Sequence, residues 1–101
     1  MGLGNLQKMA MQLQREMARV QEELAAARVD GSAGGGVVKV VVTGKQVVES
    51  IAIDPSAVDP DDVEMLQDMV LAAVNDGLRA SRELEESKMA AVTGGLRLPG
   101  M

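Results

Sequence analysis

Carboxylates dominate one stretch of the chain, residues 54–76, which holds seven of them and no basic residue. Carboxylate oxygens are the ligands that Ca²⁺ and Mg²⁺ prefer, so this density first suggests a metal site. A calcium loop of the EF-hand kind starting at Asp54 would need oxygen ligands at 56 and 58, glycine at 59 and glutamate at 65, and the chain has Ser, Val, Asp and Met there. We therefore expect no metal. The carboxylates are Asp54, Asp59, Asp61, Asp62, Glu64, Asp68 and Asp76.

Two other interpretations of this stretch are a face that repels nucleic acid and the start of a helix. Asp59 stands where an N-cap should be, Pro60 suits the first helical position, and Asp61 and Asp62 fall in the first turn. Carboxylates near the positive end of the helix dipole stabilise it by about 0.3 to 1 kcal/mol each. The pattern favours a helix start, with the helix running from about 61 to 92.

The residue types that the chain lacks exclude most catalytic chemistry. Without histidine or cysteine, it has no Ser-His-Asp or Cys-His nucleophile and no imidazole or thiolate zinc site. We expect no enzymatic activity, no cofactor and no small-molecule substrate. Without Phe, Tyr or Trp, it also has no platform on which to stack an unpaired base, so any nucleic acid partner should be a duplex.

The length of 101 residues predicts a single domain over 1–101. Since aromatic side chains provide the largest burial per residue, a core built without them predicts an obligate homo-oligomer that gains burial from a partner subunit. No apolar run approaches the ~20 residues of a membrane span, so we expect no membrane association and a cytoplasmic location.

Residues 3–28 are predicted to form a long amphipathic helix, because apolar residues recur at alternating spacings of three and four. Such a heptad seam is typical of packing against another helix. The seam consists of Leu3, Leu6, Ala10, Leu13, Met17, Val20, Leu24 and Ala27.

Residues 28–53 predict a small antiparallel sheet of about three strands. A β-branched hairpin turns near Gly44 and Lys45, and Glu49 lies on its apolar face, where either a bulge re-aims it or the edge leaves it in water. GSAGGG, residues 31–36, matches no phosphate-binding pattern and is interpreted as a turn. Gly77 interrupts the second helix and indicates either a close crossing or a kink. Residues 93–101 are predicted to be a flexible tail.

The charge is segregated: residues 1–53 and 77–101 each carry +1, and residues 54–76 carry −7, which gives the net charge of −5. Basic side chains therefore form two candidate DNA-binding patches away from the acidic segment, although a solvated face is the simpler interpretation from composition alone. The candidates are Lys8, Arg15 and Arg19 on the first helix and Arg79, Arg82, Lys88 and Arg97 toward the C-terminus.

Four strings in this order resemble the YbaB/EbfC nucleoid-associated proteins of bacteria. They are GNLQKMAMQLQREM, GGGVVKVVVTGKQVVESIAIDPS, DPDDVEMLQDMVLAAVNDG and MAAVTGGLRLPGM, which together run nearly end to end. The family usually has alanine where this chain has Gly77.

The resemblance implies an α+β protomer of helix, three-stranded meander and helix, joined into a tweezer-like homodimer with projecting first helices. It implies binding to double-stranded DNA with little sequence preference, in the cytoplasm at the nucleoid, where the protein alters DNA conformation in nucleoid organisation, gene regulation or DNA protection. The alternative is an acidic dimeric interaction module that captures another protein through the heptad seam. The expected dimer and core positions are Leu6, Leu13, Met17, Leu24, Val40, Ile51, Leu66 and Val70.

Overall fold

The computed structural model describes residues 2–94 and confirms the α+β class, with two long helices flanking a three-stranded antiparallel sheet. Helix α1 ends two residues before its predicted end, and α2 begins two residues after its predicted start and continues for two residues beyond its predicted end. The remainder of the predicted tail, 95–101, lies outside the described residues. In chain order the elements are α1 (Leu3–Ala26), β1 (Arg28–Ala33), β2 (Val38–Thr43), β3 (Val48–Ile53) and α2 (Val63–Gly94).

The sheet is a meander in the order β1-β2-β3, and α2 covers one of its faces. Val38, Val40 and Val42 alternate along β2 toward α2 and are buried, because side chains two apart point to the same face of a strand. Helix α2 lies mainly over β1 and β2, so every residue of β3 is exposed. The central strand therefore provides the core, and β3 is an uncovered edge.

Glu49 is the extra residue of a β-bulge. Ser50 pairs with Val41 and Val48 pairs with Val42, so the register skips Glu49. Its carboxylate forms an ion pair with Arg28 of β1, reaching across β2. Of the two predicted alternatives the bulge is confirmed, and it removes the charged residue from the alternating pattern.

Gly77 lies at a close crossing of α2 over the sheet, and the helix continues through it without a kink. A Cβ atom built on Gly77 would lie 2.7 Å from Cγ2 of Val42 and 2.8 Å from Cγ2 of Val40. Gly31 faces it from β1, where a Cβ atom would lie 2.3 Å from the backbone nitrogen of Gly77. The two glycines let strand and helix backbones approach more closely than any side chain allows.

Ser81 fixes the β2–β3 turn to α2. Its buried hydroxyl donates to the Thr43 carbonyl at 2.7 Å and accepts from the backbone and side-chain nitrogens of Gln46 at 3.2 and 3.0 Å. Gln46 is held there at a φ of 58°, a conformation that residues other than Gly, Asn and Asp seldom adopt. The hydroxyl thus stabilises both a strained turn and its contact with the helix.

Replacing Ser81 with alanine should lower the free energy of unfolding by about 1 to 3 kcal/mol, since the part-buried turn loses three hydrogen bonds that join it to α2. Ser87→Ala is the matched control, because Ser87 is exposed on the same helix. Urea denaturation at a fixed protein concentration measures both variants. Equal stability of the two variants would contradict the role assigned to Ser81.

Within residues 2–94, helix α1 packs on α2 mainly through its C-terminal half. Val20 and Leu24 are buried against Val92 of α2, and Leu13 lies at the margin of this cluster. Leu3, by contrast, is 77% exposed. Within one chain, therefore, only part of the predicted heptad seam packs against α2 among the described residues. The N-terminal part of the seam is exposed to solvent on the projecting part of α1.

Candidate nucleic-acid interface

The N-cap of α2 lies three residues later than predicted. Asp62, not Asp59, is the N-cap of α2, because its carboxylate accepts from the backbone nitrogen of Met65 at 3.1 Å, the third residue of the helix. Asp59 closes a turn before the helix by accepting from the backbone nitrogen of Asp61 at 2.9 Å. Helix capping is thus the role of this stretch, but the residue assigned to it was wrong.

Two further carboxylates of the stretch bind backbone nitrogens. Asp54 accepts from Ser56 at 2.9 Å, which lowers the pKa of its carboxyl group. Asp76 accepts from Arg79 at 2.6 Å and from the backbone nitrogen of Ser32 at 3.1 Å, and these two bonds lower the pKa of Asp76. Within residues 2–94 no group of three or more acidic side chains is arranged to hold a metal ion.

The Asp76 contacts predict an acid-sensitive link between α2 and β1. A carboxyl group whose pKa is lowered by folding stabilises the folded state above its unfolded pKa, and this contribution is lost as the pH falls through the lower folded value. Between about pH 5 and 3 the wild-type melting temperature should therefore fall more steeply than that of Asp76→Asn. Asp68→Asn controls for the loss of one carboxylate from the exposed surface of α2. Identical slopes for wild type and Asp76→Asn would contradict the link.

The basic candidates of α1 form one exposed stripe. Lys8, Arg15 and Arg19 are seven and four residues apart, which places them within about 40° of one another around a helix of 3.6 residues per turn. Residues 3–15 contain no acidic side chain, so every charged side chain in the projecting half of the helix is basic. Neither Lys8 nor Arg15 forms an ion pair with a described residue.

Arg19 differs from the other two because carboxylates of its own helix hold it on both sides. Its guanidinium group lies 2.6 Å from Glu16 and 2.6 Å from Glu23. Both acidic neighbours raise the pKa of Arg19, and the hydrogen bond that Arg19 donates to Glu16 raises it most. In the free protein its charge is therefore compensated locally.

The candidates of α2 divide in the same way. Arg79 lies 2.6 Å from Asp76 and 2.9 Å from Glu83, and these two carboxylates raise the pKa of Arg79. Arg82, by contrast, is exposed and has no ionic partner in the described part of the chain. Lys88 binds Glu23 of α1 at 3.0 Å. Arg97 lies outside the described residues. The candidates left uncompensated among residues 2–94 are Lys8, Arg15 and Arg82.

Two exposed lysines were not among the candidates. Lys39 lies on the face of the sheet opposite α2, and Lys45 lies in the β2–β3 turn, where it bonds with Gln21. Because Lys39 alternates with apolar valines along β2, the sequence could have predicted that it lies on the outer face of the sheet. Lys45 and Gln21 are distant in sequence, so no local sequence pattern predicts their contact.

The expected dimer and core positions fall into three groups. Leu24 and Val40 are buried, and Leu13, Leu66 and Val70 are half-buried. The remaining three are exposed in the single chain: they are Leu6, Met17 and Ile51. Ile51 pairs with Val40 across the strands, so its side chain points to the α2 side of the sheet. It is nevertheless exposed, because α2 lies mainly over β1 and β2 and leaves β3 uncovered.

The chain matches known proteins over nearly its whole length. The model of the YbaB/EbfC DNA-binding family matches residues 1–96. Proteins named nucleoid-associated protein are similar: one from Moorella thermoacetica is 55% identical, with 99% of each chain covered, and one from Chloroflexus aurantiacus is 54% identical, with 91% of this chain and 92% of the relative covered.

A solved structure also shares the fold. The crystal structure of an uncharacterized protein from Helicobacter pylori superposes with a TM-score of 0.75 at 25% identity, covering 96% of this chain and 99% of the other. No helix within residues 2–94 is both long enough and apolar enough to cross a membrane. The match of the family model along residues 1–96 confirms the resemblance seen in the sequence. This chain belongs to the YbaB/EbfC DNA-binding family of nucleoid-associated proteins.

Proposed function

We propose that this protein binds duplex DNA as a homodimer, by charge and with little sequence specificity, and alters the conformation of the DNA in the bacterial nucleoid. The observation that carries the proposal is the basic, acid-free half of α1. Lys8 and Arg15 project from an exposed helix and have no competing carboxylate on residues 3–15. Contacts to phosphate need such side chains but no aromatic residue, and they read little sequence.

The acidic start of α2 lies far from the region where α1 contacts this helix. Helix α1 contacts α2 near residues 84–92, so the N-terminus of α2 lies some twenty residues away along the helix, or about 30 Å at a rise of 1.5 Å per residue. That distance exceeds the Debye length of about 8 Å at physiological salt. The net charge of −5 is therefore compatible with DNA binding at α1.

Exposed apolar side chains support the homodimer. Ile51 and Ile53 of β3 are 47% and 40% exposed, and Leu71 of α2 is 61% exposed. A second copy covering these side chains would supply the burial that a core without aromatic residues lacks. Two-fold symmetry would also give the DNA two basic stripes instead of one.

One observation favours the second candidate, a protein-interaction module. Leu3 and Leu6 continue the α1 seam beyond its contact with α2, and they are 77% and 58% exposed. An open seam of this kind is typical of a helix that captures another helix. The two candidate functions differ in one expected result: a DNA-binding protein should bind a duplex at low salt, and a protein-interaction module should not.

Fluorescence anisotropy with two unrelated duplexes of about 30 base pairs, at several salt concentrations, tests the proposal. With about 6 to 8 phosphate contacts per dimer, affinity should fall by roughly 10³- to 10⁴-fold between about 50 and 200 mM salt, and the two duplexes should bind alike. Resonance energy transfer between the duplex ends reports the change in DNA conformation. A flat salt response would contradict the mechanism, and no binding at low salt would favour the protein-interaction module.

A further inference from the structure

Two cations from different helices converge on one carboxylate between α1 and α2. Oε1 of Glu23 lies 2.6 Å from Nη1 of Arg19, and Oε2 lies 3.0 Å from Nζ of Lys88. Glu16 holds the other guanidinium nitrogen of Arg19 at 2.6 Å. Glu23 and Lys88 are 65 residues apart in sequence, so only the packing of the two helices brings them together.

The surrounding groove is open to solvent and large enough for an anion. It has a volume of about 250 Å³, several times the ~30 Å³ that a water molecule occupies in the liquid. Glu16, Arg19, Glu23 and Lys88 form its polar wall. On the other wall, Val20 of α1 packs on Val92 of α2, so the helices stay in contact whatever occupies the polar side.

We propose that Arg19 and Lys88 form a two-helix binding site for a DNA phosphate, and that Glu23 occupies this site in the free protein as an internal competitor. The inference rests on the proposed DNA binding. A carboxylate and a phosphodiester present similar pairs of oxygens to guanidinium and ammonium groups, so one can replace the other. Exposed ion pairs are weak, so the approach of a highly charged backbone can exchange Glu23 for phosphate.

The charge state of Glu23 is consistent with this role. The hydrogen bond from Lys88 is the largest of the effects that lower the pKa of the Glu23 carboxyl group, and Arg19 lowers it further. The group is therefore fully ionised at neutral pH and competes with an anion at full charge. Affinity for DNA is set by an exchange within the α1–α2 groove and not by the count of basic residues alone.

The test compares Glu23→Gln with the matched control Glu22→Gln in anisotropy titrations on the same duplex. Glu22 is exposed on α1 beside Glu23 and pairs with no basic side chain in the described part of the protein. Glu23→Gln should bind DNA about three- to tenfold more tightly than wild type, with a steeper salt slope, because it frees Lys88 and one side of the Arg19 guanidinium group, whose other side stays paired with Glu16. Glu22→Gln should gain about twofold at most, from the change in net charge alone.

A double-mutant cycle with Lys88→Gln separates competition from simple charge removal. Lys88→Gln should weaken binding little in the wild type, where Glu23 occupies the lysine, and several-fold more in the Glu23→Gln background. Circular dichroism confirms that each variant is folded. Equal gains for the two glutamate variants, or equal effects of Lys88→Gln in both backgrounds, would overturn the proposal.

Failure of the inference and failure of the proposed function give different results. If the wild type binds with a steep salt slope and Glu23→Gln binds no better than Glu22→Gln, only the competition is wrong. If neither the wild type nor Glu23→Gln binds at about 50 mM salt, both proposals are overturned. Binding by Glu23→Gln alone would support the competition and show that Glu23 masks the site.

Discussion

Replacing Gly31 with alanine is expected to lower the free energy of unfolding by about 3 kcal/mol, the upper part of the usual range for overpacking. The new Cβ atom would lie 2.3 Å from the backbone nitrogen of Gly77 and 2.4 Å from the carbonyl oxygen of Ala73. Both are backbone atoms of α2, so no side-chain rotation relieves the clash. Strand β1 and helix α2 would have to separate and loosen the valine core between them.

Gly77→Ala is the matched control at the other side of the same crossing. Its Cβ atom would meet methyl groups of Val40 and Val42, with the nearest backbone atom, the nitrogen of Gly31, at 3.5 Å. Alanine also recovers about 1 kcal/mol of helix propensity in α2. The net change should be a loss of about 1 to 2 kcal/mol, smaller than that of Gly31→Ala, because the gain in helix propensity offsets part of the clash with the buried valine methyl groups. Urea denaturation at one protein concentration measures both variants, and a Gly31→Ala protein as stable as Gly77→Ala would contradict the crossing.

Periodicity predicted the elements of this fold because each element has its own pattern. The spacing of apolar residues in α1 and the alternation of valines in β2 depend on local geometry, so both were correct to within two residues. The N-cap was misplaced because three aspartates, at 59, 61 and 62, suit a helix start. Choosing Asp62 requires knowing where the backbone turns. The close crossing at Gly77 depends on Gly31, which is 46 residues away.

The candidate interface was predictable in its charge and in ion pairs within one helix, but not in the ion pair between the two helices. The stripe of Lys8, Arg15 and Arg19 follows from their spacing on a helix, and the Arg19–Glu23 pair follows from the i,i+4 rule. The contact of Lys88 with Glu23 depends on how α1 packs on α2, which no local pattern encodes. Sequence therefore identified the basic residues, and tertiary structure separates the uncompensated cations from the paired ones.

Replacing Lys8 and Arg15 together with glutamine should weaken duplex binding about 50-fold at 100 mM salt. The estimate takes one lost phosphate contact for each residue, at a salt slope of about 0.9 per contact, and a homodimer that uses both stripes would lose more. Both residues are exposed on α1 and outside the hydrophobic clusters, so the variant should fold normally. Anisotropy measures the affinity, and circular dichroism the helix content.

Lys39→Gln combined with Lys45→Gln is the control, because it removes the same two charges from the sheet and its turn. It should retain affinity within about threefold of wild type, since no proposed contact between α1 and DNA is lost. If this control loses as much affinity as the α1 variant, net charge explains the effect. If it loses more, the sheet and not α1 faces the DNA.

The most direct test of DNA binding through the basic half of α1 is the slope of log affinity against log salt for the wild type and these two double variants. If the basic half of α1 faces the DNA, the slope of the Lys8 and Arg15 variant should be shallower by about 1.8 per chain, while the slope of the Lys39 and Lys45 variant should match that of the wild type. Parallel slopes for all three proteins would mean that Lys8 and Arg15 release no counterions on binding, and would contradict the assignment of the interface to α1.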